Sequence, residues 1–261
     1  MTGPVSEKTI EISYIANAGV CIKTNKATFL VDAIHHEGDY PFSKVPADTL
    51  AAMKRGSGPY ANADYLLFTH THPDHFTPEH VISYLRNNSS KALFVHSDKL
   101  QRTQPVFSVC RERGITAVPL RVDYGALQQF QLNQDAVLTS LSVHHLKEEY
   151  ADVACGCLML EVCGKRILLL ADADHGRSEE FFPLGESADI AFVNPYCLLQ
   201  PAGRVLLENI LKPKQIAVYH IPFAEDDRLG MRMIVQNLQK RYQHKYSSMI
   251  ALLHPSMKIR L

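Results

Sequence analysis

The sequence predicts a layered α/β protein, and two observations carry this prediction. Apolar segments with the alternation or length of strands come early in each half of the chain, and helix-type segments follow them. No stretch rich in Pro, Gly or Ser separates the halves, so we expect a single domain over residues 1–261. The composition, 46% hydrophobic and 21% charged, is typical of a globular protein that buries a substantial core.

The first half contains most of the predicted strands. Thr77 as N-cap and Pro78 at the first helical position favour a helix over PEHVISYLRN. A second helix, DKLQRTQPVFSVCRERG, should be kinked at Pro105. Residues 34–63 are expected to be a long irregular segment, which in a compact domain is usually functional or mobile. The predicted strands are IEISYI, GVCIKT, ATFLVDA, YLLFTH, ALFVH, ITAVPLRV, LQQFQLN and AVLTSLSV.

The second half repeats this order. A hairpin through Gly164 is predicted to join CGCLMLEV to KRILLLAD. Helices are expected at RVLLENILK and RLGMRMIVQNLQKRY. The remaining predicted strands are IAFVNPY, QIAVYHI, MIALLH and MKIRL.

Charge and cysteine content limit the classes of function. Lys plus Arg and Asp plus Glu number 27 each, so the chain has no net charge that would favour nucleic acid or an anionic membrane. The start, MTGPVSEKTIEISY, has no signal-peptide pattern, and no apolar run approaches the ~20 residues of a membrane span. Six cysteines without a CxxC pair favour a reducing, cytoplasmic compartment. Cys155 and Cys157 could clip a soft metal, but packing on one face of a strand is the favoured interpretation.

The stretch FTHTHPDHF, residues 68–76, is the strongest functional signal. The chain has 13 His among 261 residues, so a chance His-x-His-x-Asp-His is on the order of one in a thousand. In extended backbone, His70 and His72 share a face, and Pro73 favours that conformation at His72. Beyond the proline, the chain should present Asp74 and His75 in another direction. Two adjacent ions are therefore predicted, and imidazole with carboxylate suits Zn²⁺ and equally Fe or Mn.

Further motifs lie in later strands. TSLSVHH ends in His144 and His145, GKRILLLADAD contains Asp172 and Asp174, and QIAVYHIP contains His220. In this order and spacing the chain resembles the metallo-β-lactamase-fold hydrolases over nearly its whole length, including a first hairpin closed by Asp32. The resemblance implies an αββα four-layer sandwich with two divalent metal ions. The implied ligands are His70, His72, Asp74, His75, His145, Asp172 and His220, with Asp172 bridging the ions.

Two departures from the family pattern bear on these ligands. Ala171 stands where a glycine usually precedes the bridging aspartate, and we expect only a modest backbone adjustment. The tandem His144-His145 leaves two candidates, of which alternation favours His145 because Leu141 and Val143 would point the same way toward the core. Asp174 is the rival of Asp172.

The function implied by the resemblance is hydrolysis of a small ester, lactone or phosphodiester by a water or hydroxide that bridges the two ions. Asp74 would ligate and also accept a proton. The sequence disfavours three classes of this family. Exported β-lactamases lack the bridging aspartate, which this chain has as Asp172, and flavo-diiron oxidases carry Glu where this chain has His72. The tRNA nucleases usually add a basic arm, for which this chain shows neither an insertion nor an excess of positive charge. The hairpin and the NPY segment resemble the branch of L-ascorbate-6-phosphate lactonase and N-acylphosphatidylethanolamine phospholipase D.

Substrate contacts are expected from the 34–63 segment and from the NPY segment, and we select His36, Tyr40, Asn194 and Tyr196. Either His35 or His36 could face the metal cleft. A small-molecule substrate is expected, without nucleic acid, and a homo-oligomer is left open. Two other functions remain: a non-catalytic metal-binding member of the fold, and a mononuclear iron oxygenase. The sequence does not identify the substrate.

Overall fold

The structure is a computed structural model. It describes residues 9–37, 42–96, 100–146, 148–150, 153, 155–185, 187–242, 244–246 and 248–261. Their strands form two seven-stranded sheets, and each sheet begins with antiparallel pairs and continues with parallel ones.

The first sheet has the strand order β14-β1-β2-β3-β4-β5-β6. Neighbours from β14 to β3 are antiparallel, and those from β3 to β6 are parallel. Its strands are β1 (Glu11–Ala16), β2 (Gly19–Lys23), β3 (Thr28–Val31), β4 (Tyr65–Phe68), β5 (Ala92–His96), β6 (Thr116–Leu120) and β14 (Lys258–Arg260).

The second sheet has the order β13-β12-β11-β10-β9-β8-β7 and repeats this design. Neighbours from β7 to β10 are antiparallel, and those from β10 to β13 are parallel. Its strands are β7 (Leu127–Asn133), β8 (Ala136–Val143), β9 (Cys155–Val162), β10 (Lys165–Leu169), β11 (Ile190–Val193), β12 (Gln215–Val218) and β13 (Met249–Ala251).

The sheets pack face to face, with helices outside them. Leu138 and Leu160 of the second sheet share a buried cluster with Phe29 and Leu67 of the first. That cluster also takes in side chains of α1 (Ala47–Lys54), α2 (Pro78–Asn87) and α3 (Leu100–Arg113). A separate apolar cluster joins the outer face of the second sheet to α4 (Pro195–Leu199), to the helical segment Leu206–Leu211 that follows α5 (Pro201–Val205), and to α6 (Met231–Tyr242). The predicted αββα layering is confirmed.

Several helical segments were not predicted from the sequence. The expected strand IAFVNPY ends at Val193, and α4 begins at its Pro195, a residue that favours the first turn of a helix. Helix α1 lies inside the stretch 34–63 that was expected to be irregular; it buries only Leu50 and Met53, too few apolar positions to give a helical pattern. A 3₁₀ segment, Ser178–Leu184, was also missed. After α5 the chain continues as a π-helix over Leu206–Leu211. Pro105 lies inside α3, which continues past it to Arg113.

The described helices are all too short or too polar to cross a membrane. The expected single domain over residues 1–261 stays a prediction.

Candidate metal centre

The residues predicted to bind metal lie where strands end. His70 to His75 follow β4, His145 follows β8, Asp172 follows β10 and His220 follows β12. The first sheet adds Asp32 directly after β3. Because these strands end at the same edge of the sandwich, residues as far apart in sequence as Asp32 and His220 meet there. This is also where ligands bind in open sheets with parallel strands.

The structure gathers the seven predicted ligands into two overlapping clusters. The first contains His70, His72, His145 and Asp172, and the second contains Asp74, His75, Asp172 and His220. Within each cluster the candidate ligand atoms all lie within 4.8 Å of one another. Asp172 is the member that the two clusters share.

Asp172 directs one carboxylate oxygen at both clusters. Its Oδ2 lies 3.7 Å from His70 Nε2 and 3.6 Å from His145 Nε2 in the first cluster. The same oxygen lies 3.4 Å from His75 Nε2 in the second. Oδ1 lies 3.4 Å from His220 Nε2. A carboxylate placed in this way can contribute to both sites.

The spacing of the donor atoms fits metal ions. Ligand atoms about 2.0–2.1 Å from a tetrahedral Zn²⁺ are about 3.3–3.4 Å from each other. In the first cluster, His70 Nε2 and His72 Nδ1 are 3.1 Å apart. In the second, His75 Nε2 and His220 Nε2 are 3.3 Å apart. Imidazole nitrogens that converge on carboxylates at these distances are a donor set for a divalent ion. The residues present therefore fit the two metal ions that the sequence implies.

Asp32 fixes the orientation of one histidine in each cluster. Its Oδ2 lies 2.9 Å from His75 Nδ1, and an ionised carboxylate only accepts hydrogen bonds, so Nδ1 carries a proton and Nε2 is the nitrogen that faces the second cluster. Although burial lowers the pKa of His75, Asp74, Asp32 and Asp172 raise it well above its usual value, so a metal ion would displace the proton of Nε2. Thr69 donates its hydroxyl to the same oxygen at 2.6 Å and its N–H to Oδ1 at 2.9 Å. The Thr69 oxygen then accepts from His70 Nδ1 at 3.1 Å, which leaves His70 Nε2 for a metal.

Asn17, in the turn between β1 and β2, holds Asp74. Its Nδ2 donates to Asp74 Oδ2 at 3.1 Å and to the Asp74 carbonyl at 3.0 Å. The Asn17 carbonyl accepts from the N–H of His220 at 2.8 Å. Asn17 and His220 both have positive φ, of 52° and 58°, a conformation that Asn tolerates better than most residues. One turn of the first sheet thereby positions two members of the second cluster.

The electrostatics of the centre keep the carboxylates ionised. Burial works to raise the pKa of Asp172, but His220 and the hydrogen bonds of His145, His220 and His75 outweigh it and hold that pKa well below its usual range. Burial, reinforced by His145, lowers the pKa of His72 to about 4. Neutral imidazole and ionised carboxylate are the forms that bind metal.

The two-sheet architecture is similar to that of several solved structures. A variant of the CmlA β-hydroxylase aligns with a TM-score of 0.63 at 17% identity, covering 99% of this chain and 55% of CmlA. The chain thus spans about half the length of CmlA. Igni18 from the archaeon Ignicoccus hospitalis aligns with a TM-score of 0.60 at 11% identity, covering 97% of this chain and 98% of its own. An isothiocyanate hydrolase from Delia radicum gut bacteria gives 0.60 at 14%, covering 95% and 98%.

No protein-family model and no curated protein match the chain. The solved structures align over nearly the whole of this chain, and this shared architecture shows the fold. The chain has the metallo-β-lactamase fold. The branch suggested by the hairpin and the NPY segment stays a prediction.

Within this metallo-β-lactamase fold, the adjacent residues His144 and His145 have different surroundings. His145 belongs to the first cluster, whereas His144 Nδ1 lies 2.5 Å from Glu180 Oε1 and stacks on Tyr124. Alternation along β8 predicted His145 as the ligand, but with Leu141 and Val143 on the wrong face of the sheet. Leu141 and Val143 pack in the helix-side cluster, and it is Ser140 that faces the first sheet, 2.7 Å from His96 Nε2.

His145 reaches the centre because β8 ends at Val143 and the chain then pairs with the segment after β10. Asp174 N–H donates to the His144 carbonyl at 2.8 Å, and Leu146 N–H donates to the Asp172 carbonyl at 2.7 Å. His145 bridges to Ala173 between these bonds. Asp174 is thereby part of this pairing and lies outside both clusters.

The residue before Asp172 has an unusual conformation. Ala171 has a φ of 49°, where glycine is usual, so the expected modest adjustment is a left-handed residue. Its N–H donates to the Tyr219 hydroxyl at 2.9 Å, and its carbonyl accepts from Asn194 Nδ2 at 3.0 Å. Buried side chains therefore hold both the N–H and the carbonyl of this strained residue.

A cleft of about 210 Å³ opens over the two clusters. Asn194 and Tyr196, selected from the sequence as substrate contacts, both line it. His36 does not; its Nδ1 lies 2.9 Å from the Val45 carbonyl. Tyr40 lies outside the described residues. His35 is the buried member of the His35-His36 pair, and burial lowers its pKa to about 3.

Two aromatic residues at the centre were not predicted from the sequence. The ring centroid of Tyr150 lies 4.7 Å from that of His72 and 5.1 Å from that of His145. The Phe42 ring meets His220 edge to face at 4.4 Å. Tyr150 follows a polar turn without any motif. Phe42 lies in the 34–63 segment, which was selected only as a region.

Proposed function

We propose that this chain is a metal-dependent hydrolase that holds two divalent ions. The observation that carries the proposal is the position of Asp172, whose carboxylate belongs to two clusters of ligand atoms at once. A purely structural ion would need one closed set of ligands. Two sets that share a carboxylate at the floor of a cleft are an arrangement for chemistry on a substrate.

His70, His72 and His145 would hold one ion, and Asp74, His75 and His220 the other, with Asp172 between them. When bound, such a pair lowers the pKa of a water and polarises a carbonyl or phosphoryl oxygen. Hydrolysis of an ester or lactone adds the water oxygen to the carbonyl carbon, breaks the bond to the alkoxy oxygen, and delivers a proton to that oxygen. Asp74 is positioned to take up the proton of the water, because Asn17 fixes its carboxylate beside His75 and His220.

Zinc is the ion that we propose, with Mn or Fe as alternatives. Five imidazoles and two carboxylates match the ligands of catalytic zinc, although the same set also serves iron. The substrate class that we propose is a small ester, lactone or phosphodiester. Two structural neighbours, a metallo hydrolase and an isothiocyanate hydrolase, support hydrolysis as the reaction type.

An iron oxygenase is the second candidate. It is favoured by the structural similarity to CmlA, a diiron β-hydroxylase from Streptomyces venezuelae. A non-catalytic metal-binding member of the fold is the third. The cellular setting that we propose is cytoplasmic, with a small-molecule substrate and no nucleic acid; homo-oligomer formation is left open.

The deciding experiment combines elemental analysis with a substrate screen. Protein expressed in metal-replete medium should contain up to two transition-metal ions per chain and hydrolyse at least one member of a panel of esters, lactones and phosphodiesters. Chelator should abolish this hydrolysis, and Asp172→Asn should reduce it at least a hundredfold. Bound iron with oxygen consumption would favour the oxygenase, and bound metal without any turnover would favour the non-catalytic alternative.

A further inference from the structure

We infer that the substrate carries an uncharged, apolar group beside the bond that is cleaved. This inference rests on the proposed function and narrows its substrate class. It follows from the walls of the cleft and not from its metal-binding floor.

Aromatic rings form the walls directly above the two clusters. Phe42 stands against His220, and Tyr150 stands against His72 and His145, as the ring distances above show. Phe42, Tyr150 and Asp172 line one cleft, so a substrate whose reacting atom approaches Asp172 there brings its neighbouring atoms toward these rings. Contact with such rings favours apolar or aromatic groups.

Further from the floor, the cleft continues as an apolar rim. Leu229 is 64% exposed and Tyr196 is 39% exposed, and Met231 lies beside them. Pro195 and Pro222 complete this side. A large side chain such as Leu229, left in solvent at the mouth of a cleft, gains burial when an apolar group enters.

Away from its metal-binding floor, the part of the cleft that the structure describes offers no cationic side chain to a charged substituent. Among the described residues that line it there is no Lys or Arg. Arg232, near Pro222, directs Nη1 at the carbonyls of Pro222 and Leu253, at 3.2 and 2.7 Å. The amide of Asn194 is occupied at both ends, by the Ala171 carbonyl and the Cys197 N–H. A carboxylate or phosphate away from the reacting centre would thus give up hydration on entering the cleft without gaining a cationic side chain as partner, which costs free energy.

The volume limits the size of the group. About 210 Å³ is below the range of roughly 300–1,000 Å³ that is usual for pockets of drug-sized ligands. A short aliphatic chain or one aromatic ring fits this space. The geometry therefore points to small neutral esters or lactones in preference to substrates that carry a second charge.

The test uses 4-nitrophenyl esters with the metal-loaded protein. From acetate to butyrate, kcat/KM should rise about fifteenfold, since each buried CH₂ contributes about fourfold. The 4-methylpentanoate should exceed the isosteric, anionic hemisuccinate by on the order of a hundredfold, after subtraction of the uncatalysed rates. Equal rates for the neutral and anionic esters, or no gain with chain length, would overturn the inference.

A pair of variants locates the effect. Leu229→Arg places a cation at the rim and should reduce the preference for the neutral ester at least tenfold. Met233→Arg is the control, because Met233 is 63% exposed and is not among the residues that line the cleft. If both variants change the preference equally, the rim does not select the substrate and the inference is wrong.

Failure of the proposed function would be recognised separately. If the metal-loaded protein hydrolyses none of these esters, calorimetric binding of the corresponding unreactive 4-nitroanilides replaces kinetics as the readout. The neutral anilide should then bind at least tenfold more tightly than its anionic counterpart, with the difference reduced in Leu229→Arg. Equal binding of the two anilides would contradict the inference whatever the reaction.

Discussion

His75 Nδ1 lies 2.9 Å from Oδ2 of Asp32, a buried carboxylate 43 residues earlier in the chain. The same oxygen accepts the hydroxyl of Thr69, which in turn contacts His70 Nδ1. One carboxylate that is not itself in either cluster therefore sets the proton position of a histidine in each. This arrangement couples the two predicted sites through a single side chain.

Asp32→Asn should weaken metal binding at both sites. The amide cannot accept from His75 and Thr69 as the carboxylate does, so the two imidazoles lose their fixed tautomer and orientation. The expected loss is about 10- to 100-fold in affinity for each ion. Competition between the purified protein and a chromophoric chelator for Zn²⁺ measures it.

Two variants control for general damage. Asp64→Asn removes a carboxylate that accepts from Thr28 N–H and pairs with Lys91 away from the centre, and it should leave affinity unchanged. Thr69→Val interrupts only the branch to His70, so it should weaken one ion and spare the other. Equal affinity in Asp32→Asn and the unsubstituted protein would refute the positioning role.

Asp172→Ala should lose both ions, whereas His145→Ala and His220→Ala should each weaken mainly one. The reason is that Asp172 alone belongs to both clusters. Metal content after dialysis against a weak chelator distinguishes the three variants. Retention of one tightly bound ion in Asp172→Ala would show that the carboxylate serves a single site.

His144→Ala should retain both ions, while His145→Ala should release the ion of the first cluster. His144 is engaged by Glu180 through both its ring and its backbone N–H. Its imidazole therefore points away from the clusters, although the pairing helps to fix the end of β8. Titration of both variants with Zn²⁺ is the measurement, and loss of metal only in His144→Ala would reverse the assignment.

Much of the metal centre could be predicted from the sequence, because its ligands either lie close together in the chain or follow the ends of strands. The segment from His70 to His75 carries four candidate ligands within six residues, and Pro73 fixes where the chain turns. Strand ends were also readable, since β7, β8 and β9 have the bounds that their apolar patterns indicate. Asp172 and His220 followed from the resemblance, because a single Asp or His after a strand has no pattern of its own.

The remainder depends on packing that a sequence does not show. β8 is buried on both faces, so alternation could not tell which face meets the other sheet. The relay from Asp32 through Thr69 exists only because β3 and β4 are parallel neighbours. Tyr150 reaches His72 from a short polar turn, and nothing in EEY indicates this. The first helix is too weakly amphipathic to be seen.

Ala171→Gly should be tolerated much better than Ala173→Gly. The left-handed conformation of Ala171 costs about 1–2 kcal/mol, which glycine recovers, and this offsets the loss of a buried methyl and the added chain entropy. Ala173 is equally buried but is not among the residues with positive φ, so its replacement loses about 1 kcal/mol or more without compensation. Urea unfolding of the chelator-treated proteins compares the two. Equal destabilisation would mean that the Ala171 backbone is not strained.

His96 should make the protein less stable in mild acid. Its ring is buried between the sheets over Gly156, where an added Cβ would lie 2.0 Å from the ring, and burial lowers its pKa to about 4. The unfolded chain titrates near the ordinary value of about 6.5. Between these values the unfolded state binds the proton and the folded state does not, so falling pH favours unfolding.

The contribution of His96 is absent above about pH 6.5 and grows to about 3 kcal/mol of lost stability near pH 4, at about 1.4 kcal/mol per unit. His96→Phe should remove this part of the slope, as measured by urea unfolding of the chelator-treated protein from pH 4 to 7. Ser140→Ala is the matched control: it deletes the hydroxyl 2.7 Å from Nε2 but keeps the imidazole, so the curve should shift without losing its slope. An unchanged slope in His96→Phe would show that other buried histidines carry the acid sensitivity.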